Sequence, residues 1–139
     1  MENLYIKGQR GIYFTPTVKL DAETSVCEIS GESYLEDTVD FYDPIIKWLN
    51  AYAEESYKSL TFNFKLTYFN TSSSKAILNI LKSLKKFKEK GGEIEINWYY
   101  PDDDYDILAE AEDFMEDSKL NFNLIPYKLE YWLTWAWIL

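Results

Sequence analysis

Four hydroxyl side chains in a row, Thr71, Ser72, Ser73 and Ser74, stand between Asn70 and Lys75, where an alternating strand pattern gives way to a helical one. A helix start leaves N–H groups unpartnered and carries the positive end of the helix dipole. Such a place favours a capping hydroxyl or amide, and equally a bound or covalent phosphate. A phosphate on a Thr here adds about −1.5 to −2 charge beside those donors. On pattern alone, Asn, Thr and Ser at this junction are ordinary helix caps. The Gly-x-x-x-x-Gly-Lys spacing of a P-loop is absent. Ser72 or Ser74 with Lys75 has the composition of a Ser–Lys nucleophile pair, but no oxyanion-hole signature accompanies it.

A second concentration of chemistry is acidic. From Glu93 to Asp117 there are eleven Asp or Glu and no Lys or Arg. Asp102, Asp103, Asp104 and Asp106 could bind a divalent cation or a basic partner, yet the spacing lacks the Gly and terminal Glu of an EF-hand. Acids in a helix's first turn also complement its dipole, which accounts for them without a ligand. In the run Trp98-Tyr99-Tyr100, alternation sends Trp98 and Tyr100 to the core. It leaves Tyr99 as an exposed anchor expected near the helix start at 71–75. Cys27, with no His in the chain, reads as a small buried hydrophobe rather than a nucleophile.

Composition bounds the rest. The chain has 139 residues, with Lys+Arg 14 and Asp+Glu 24, a formal net charge of −10. That balance opposes binding to a nucleic acid. Without His there is no Ser-His-Asp triad and no His-ligated zinc; with one Cys there is no disulfide within the chain. No metal or cofactor site is expected. Aromatics at 18% supply a core for one domain. The start lacks the apolar run of a secretory signal, so the expected location is cytoplasmic, with any membrane contact only indirect through partners. Residues 129–139 hold three of the five Trp, too short an apolar stretch for the roughly 20 residues of a membrane span. Packing or pairing on the domain is expected of this tail.

The elements that must position these residues follow from periodicity. Residues 4–20 read as a hairpin, with a turn at Lys7–Gly11 and a second strand at Thr17–Leu20. A turn at Asp21–Ser25 leads to a strand at Val26–Ser30, ended by Gly31. A helical stripe spans 36–56, built on Val39, Tyr42, Ile46, Leu49 and Ala53. Pro44 implies a start near Asp43 or a kink. The strand at 60–69 points Leu60, Phe62, Phe64, Leu66 and Tyr68 one way. A helix at 73–90 ends at Gly91-Gly92. A strand at 93–100, a helix at 103–117 and a strand at Leu120–Ile125 complete the chain. Alternating strands and helices predict a single α/β domain over 1–126, with a mixed, mostly parallel β-sheet flanked by helices, an N-terminal β-hairpin, and a 127–139 aromatic tail.

The segment Leu66-Thr-Tyr-Phe-Asn-Thr-Ser-Ser-Ser-Lys75 resembles the phosphorylation motif of the SiaC family of bacterial regulatory phosphoproteins. Three other stretches agree with it in order: Ile29–Asp37, Phe41–Leu49, and Asn97–Tyr100 followed by acids and Phe122–Ile125. The family usually has Pro and Asn where this chain has Leu35 and Asp37, which touches only the local turn. The resemblance spans about 1–126. It implies a fold and a logic similar to the STAS domains of anti-anti-sigma factors. It further implies phosphorylation of Thr71 by a partner protein kinase, removal of the phosphate by a PP2C-type phosphatase, and a recognition surface shaped by Asn70, Ser72, Ser73 and Ser74. The unphosphorylated form would bind and activate a diguanylate cyclase, promoting biofilm formation, with no catalysis by the chain itself. Two rival readings rest on the residues alone. One is a small enzyme using the carboxylates of Asp102–Asp106 with Ser72–Ser74. The other is a constitutive adaptor docking through the acidic face or the Trp-rich tail.

Overall fold

The computed structural model describes residues 1–128. The expectation placed on the tail at 129–139 lies outside the described residues. The elements in order are β1 (Leu4–Ile6), β2 (Gln9–Arg10), β3 (Phe14–Thr15), β4 (Thr17–Asp21), β5 (Val26–Ser33), α1 (Val39–Glu54), β6 (Ser59–Phe69), α2 (Thr71–Glu89), β7 (Glu93–Pro101), α3 (Tyr105–Ser118) and β8 (Asn123–Tyr127).

Six strands form one sheet in the order β1-β4-β5-β6-β7-β8. β1, β4 and β5 pair antiparallel, and β5 through β8 pair parallel. Each crossover steps one strand in the same direction. Right-handed connections therefore place α1, α2 and α3 on one face, where α1 packs on α2 and α2 on α3. Between sheet and helices lie Leu20, Ile29, Phe62, Phe64, Leu66 and Trp98 from the strands, against Ile45, Tyr52, Ile77, Ile80 and Leu81 from the helices. The Trp98 ring stacks at 4.8 Å on Phe64 and at 6.0 Å on Phe122. Cys27 is fully buried in this core, and burial pushes its thiol up to about 12, out of reach of nucleophilic use. The helix-free face is polar. Asn63, Asn97 and Asn123, in register on three strands, join their amides at 2.9 Å each, and Lys65 Nζ pairs with Glu28 at 2.8 Å.

Several boundaries differ from those the sequence predicts, each for a local reason. β5 does not stop at Gly31. It runs on to Ser33 through a bulge, and Gly31 adopts φ 103°, which a Cβ disfavours. The bulge sets Leu66 opposite Gly31 and Tyr68 opposite Glu32, so Thr67 is the extra residue. Alternation reverses there: Phe69 turns into the core, while Tyr68, expected with the inward set, is 49% exposed. α1 begins before Pro44, with Asp37 Oδ1 accepting from Val39 N–H at 3.1 Å. Pro44 sits on the exposed side, where the carbonyl it cannot serve faces water. Val39 is exposed, and the buried stripe is Tyr42, Ile45, Trp48, Leu49 and Tyr52. In the N-terminal hairpin, β1 pairs with β4, and the predicted turn opens into the separate β2–β3 ribbon. The last strand starts later than predicted, because Leu120 and Phe122 are buried ahead of β8. The stop after α2 is as expected: Gly91 adopts φ 98°, and the N–H groups of Gly92 and Gly91 reach the carbonyls of Phe87 and Lys88 at 3.0 Å each.

Candidate functional site

The hydroxyl run lies inside the first turn of α2, not ahead of it, because Asn70 is the N-cap. Its Oδ1 accepts from Ser73 N–H at 3.1 Å, and its carbonyl accepts from Ser74 N–H at 2.9 Å. The Asn70 amide also donates outward, to the Leu35 carbonyl at 2.8 Å, and Ser72 Oγ donates to the same carbonyl at 2.7 Å. Asn70 N–H donates to the Ser33 carbonyl at 3.0 Å. The bulge in β6 makes this last bond possible, since it keeps β5 and β6 in step through Ser33 and Phe69. The start of α2 is thus stitched to the chain segment Ser33–Leu35 on three sides.

Beneath it lies a buried hydroxyl chain. Ser73 is fully buried, and its Oγ shares hydrogen bonds with Ser33 Oγ at 2.7 Å and the Ser33 carbonyl at 3.1 Å. Ser33 Oγ in turn meets Tyr42 Oη at 2.7 Å. Burial pushes the Tyr42 hydroxyl up to about 12, so it stays protonated. Every buried hydroxyl here has a partner, which is what burial demands. Ser73 therefore shapes the surface from below and does not itself face a partner.

Thr71 is the exposed one of the four hydroxyl residues of this turn. It is exposed at the first helical position, and among the described residues its hydroxyl joins none of the bonds that hold the turn. The first turn of α2 contains no acid. The N–H groups of Thr71 and Ser72 are among the first of the helix, which have no intrahelical partner, at the positive end of the dipole. A depression of about 130 Å³ beside Thr71 is lined by Phe69, Asn70, Ser74 and Glu110. Burial, then Asp106, Asp104 and Asp113, hold the Glu110 carboxyl above its ordinary value. An anion on Thr71 would have this acid on one side.

Of the residues singled out from the sequence, Asn70, Thr71, Ser72, Ser73 and Ser74 gather here. Tyr99 does not: it alternates with buried Trp98 and lies on the helix-free face, with Lys65 Nζ 5.0 Å from its ring centroid. The expectation that strand ends converge on it fails because β7 meets β6 only as far as Phe64 and Trp98, five residues short of Phe69. Asp104 caps α3 by accepting from Ile107 N–H at 3.0 Å, and Asp106 lies in that helix's first turn. Among the described residues no group of three acids, Cys or His is placed to hold a metal. The Ser72 and Ser73 hydroxyls are committed to Leu35 and Ser33, and no carboxylate contacts either. Sequence reasoning passed over Ser33, Leu35, Tyr42 and Glu110. The first three lie in stretches that carry the family resemblance; Glu110 carries no signal that separates it from its acidic neighbours.

A family model described as SiaC family regulatory phosphoprotein matches residues 6–127. An uncharacterised protein of Pseudomonas aeruginosa strain UCBPP-PA14 is 28% identical over 122 residues, covering 88% of this chain and 94% of its own. The crystal structure of apo-SiaC from Pseudomonas aeruginosa superposes with a TM-score of 0.80 at 28% identity, over 90% of this chain and 99% of that one. SiaC in the complex of the diguanylate cyclase SiaD with its activator SiaC, also from Pseudomonas aeruginosa, gives 0.81 at 27% identity, over 89% and 99%. The matched span takes in both the stitched turn at Asn70–Ser74 and the Ser33–Leu35 segment that holds it, and the chain belongs to the SiaC family of regulatory phosphoproteins.

Proposed function

We propose that this chain is a cytoplasmic partner-switching regulator, phosphorylated on Thr71 by a partner kinase and restored by a PP2C-type phosphatase. In its unphosphorylated form it binds and activates a diguanylate cyclase, and so feeds cyclic-di-GMP and biofilm signalling. It performs no catalysis itself. The observation that carries the reading is the contrast within one turn: Asn70, Ser72 and Ser73 are tied down, while Thr71 is the exposed residue of the hydroxyl run and its hydroxyl is uncommitted at a helix start. A kinase meets an accessible acceptor on a rigid frame, and modification leaves the fold in place. The activator role follows the SiaC–SiaD complex of the relative. Among the described residues no helix is long and apolar enough to cross a membrane.

The switch has a physical basis. With Thr71 unmodified, the partner covers a neutral, hydrogen-bonded surface. A phosphate dianion on Thr71 carries more charge than the single cation Lys75 beside it can offset, and burying the excess in that interface costs several kcal/mol, enough to change affinity by orders of magnitude. Peptide mass spectrometry on protein from its own host, beside Thr71→Ala and Thr71→Glu, tests this. Phosphate on Thr71 is expected, with cyclase activity raised by wild type and Thr71→Ala and not by Thr71→Glu. Unmodified Thr71 under all growth conditions, with Thr71→Glu still activating, overturns it.

A further inference from the structure

A groove of about 500 Å³ runs between α1 and α2, beginning beside the phosphorylation motif at Ser72 and Lys75. Its floor is Tyr42, Ile46 and Ala76, and at its mouth Val39 is 69% exposed. One rim carries Lys75, Lys82 and Lys86, all exposed and, among the described residues, in no ion pair. The single acid on the other rim, Asp43, is already paired with Lys47 at 2.9 Å. In a chain of net charge −10, this is a basic stripe beside an apolar floor. The helix dipole accounts for Lys86 in the last turn of α2, but it offers nothing to Lys75 at the fifth helical position or to Lys82 in the middle.

We infer that this groove receives an acidic amphipathic helix of the partner, its apolar side on Ile46, Ala76 and Val39 and its acidic flank along Lys75, Lys82 and Lys86. The distance from Lys75 to Lys86 is about 16 Å along the axis, roughly three turns, which suits a helix laid between two others. Charge complementarity selects an acidic flank over a basic one. From the phospho-switch reading the inference takes only that Thr71 carries the modification. Lys75 is four residues past Thr71, the spacing at which helix side chains meet. A phosphate on Thr71, repelled by Glu110 from the α3 side, draws Lys75 to itself. The rim loses a cation, and the groove gains a dianion at its head.

The test places the photocrosslinker p-benzoyl-phenylalanine at Asn79, an exposed groove position, in the full chain in its own host. The crosslinked partner peptide is then sequenced. The expected peptide is acid-rich, with apolar residues at three- and four-residue spacing, and its yield falls at least about tenfold in Lys82→Glu/Lys86→Glu. Circular dichroism on that variant checks that the exposed changes leave the fold intact. No crosslink, a basic or unpatterned peptide, or an unchanged yield in the folded variant overturns the groove. Thr71→Glu separates the two readings. If it releases the cyclase while Asn79 captures nothing, the switch stands and the groove falls. If Asn79 captures an acidic helix equally from Thr71→Glu, the groove stands and its coupling to Thr71 falls.

Discussion

Two helices of this molecule start in the same architectural place and are finished in opposite ways. α2 follows β6, α3 follows β7, and both sit on one face of the sheet. α2 is capped by the neutral Asn70 and has no acid in its first turn. α3 is capped by the carboxylate of Asp104, with Asp106 in its first turn. At the third helical position α2 buries Ser73 in a hydroxyl chain, where α3 buries Ile107 against the core. α3 has thus filled its positive end with its own anions and anchored itself by apolar packing. α2 is anchored by hydrogen bonds to Ser33 and Leu35, and its positive end is left for something else. The difference separates a helix start closed by its own acids from one whose positive end has no acid beside it.

The third helical position gives the largest contrast. Ile107→Ala removes buried apolar volume and is expected to cost about 3 kcal/mol. Ser73→Ala removes almost no volume but strips a partner from Ser33, and about 1.5 kcal/mol is expected. Denaturant melts of both variants check the order. A Ser73→Ala loss as large as that of Ile107→Ala would mean that the hydroxyl chain holds the start of α2 as firmly as apolar packing holds that of α3.

The caps come next. Asn70→Ala loses both the bond from Ser73 N–H and the amide donor to the Leu35 carbonyl, for about 2 kcal/mol. Asp104→Ala loses a cap alone, for about 1 kcal/mol. Asn70→Asp isolates the second role, since the carboxylate still caps but faces the Leu35 carbonyl without a donor. Its stability should fall below wild type even though the added charge favours a helix start. If Asn70→Asp is more stable than wild type, the stitch to Leu35 contributes little.

The sequence made this contrast half legible. Caps, hydroxyl run, acids and glycine stop could be read from residue type, because each acts within a turn of its own position. That the later strands pair parallel followed from the alternation of strands and helices. What stayed hidden depends on partners distant in the chain. Ser33 and Tyr42 matter because the bulge at Thr67 keeps β5 beside β6 to its end, and no local pattern announces a bulge. Tyr68 and Tyr99 were misplaced for related reasons: a simple alternation cannot see the extra residue, nor where β7 stops pairing with β6. Ser73 shows the limit most sharply, since its neighbours Ser72 and Ser74 are the same residue type and only the fold makes it the buried one.

A matched pair of charges tests the openness of α2 directly. Thr71 and Tyr105 are both exposed first helical residues. Thr71→Asp puts an anion at an uncompensated helix start and should stabilise by about 0.5 kcal/mol at low salt, fading as salt is added. Tyr105→Asp puts one beside Asp104 and Asp106 and should give no gain or a small loss. Thermal melts at two salt concentrations decide it. Equal effects would show that α3's acids do not fill its helix end as argued.

The smallest expected effect lies where the two regions touch. Glu110 belongs to α3, yet its carboxyl lines the depression beside Thr71. Burial, then its acidic neighbours, hold its folded-state proton affinity above the ordinary value. Between the usual Glu range and that raised value, the folded state binds more protons than the unfolded one. Stability from this group is therefore present below the usual range and declines as pH rises through the window. Glu110→Gln removes the decline. Its melting temperature should match wild type at the acid end and exceed it slightly at neutral pH, reached through a rise across the window. A gap that is constant with pH would mean that neither burial nor the acids of α3 raise the proton affinity of Glu110. A gap that grows means that burial and the acids of α3 together disfavour the charged carboxylate where it lines the depression beside Thr71, so that an anion arriving on Thr71 would meet a group already biased toward its neutral form.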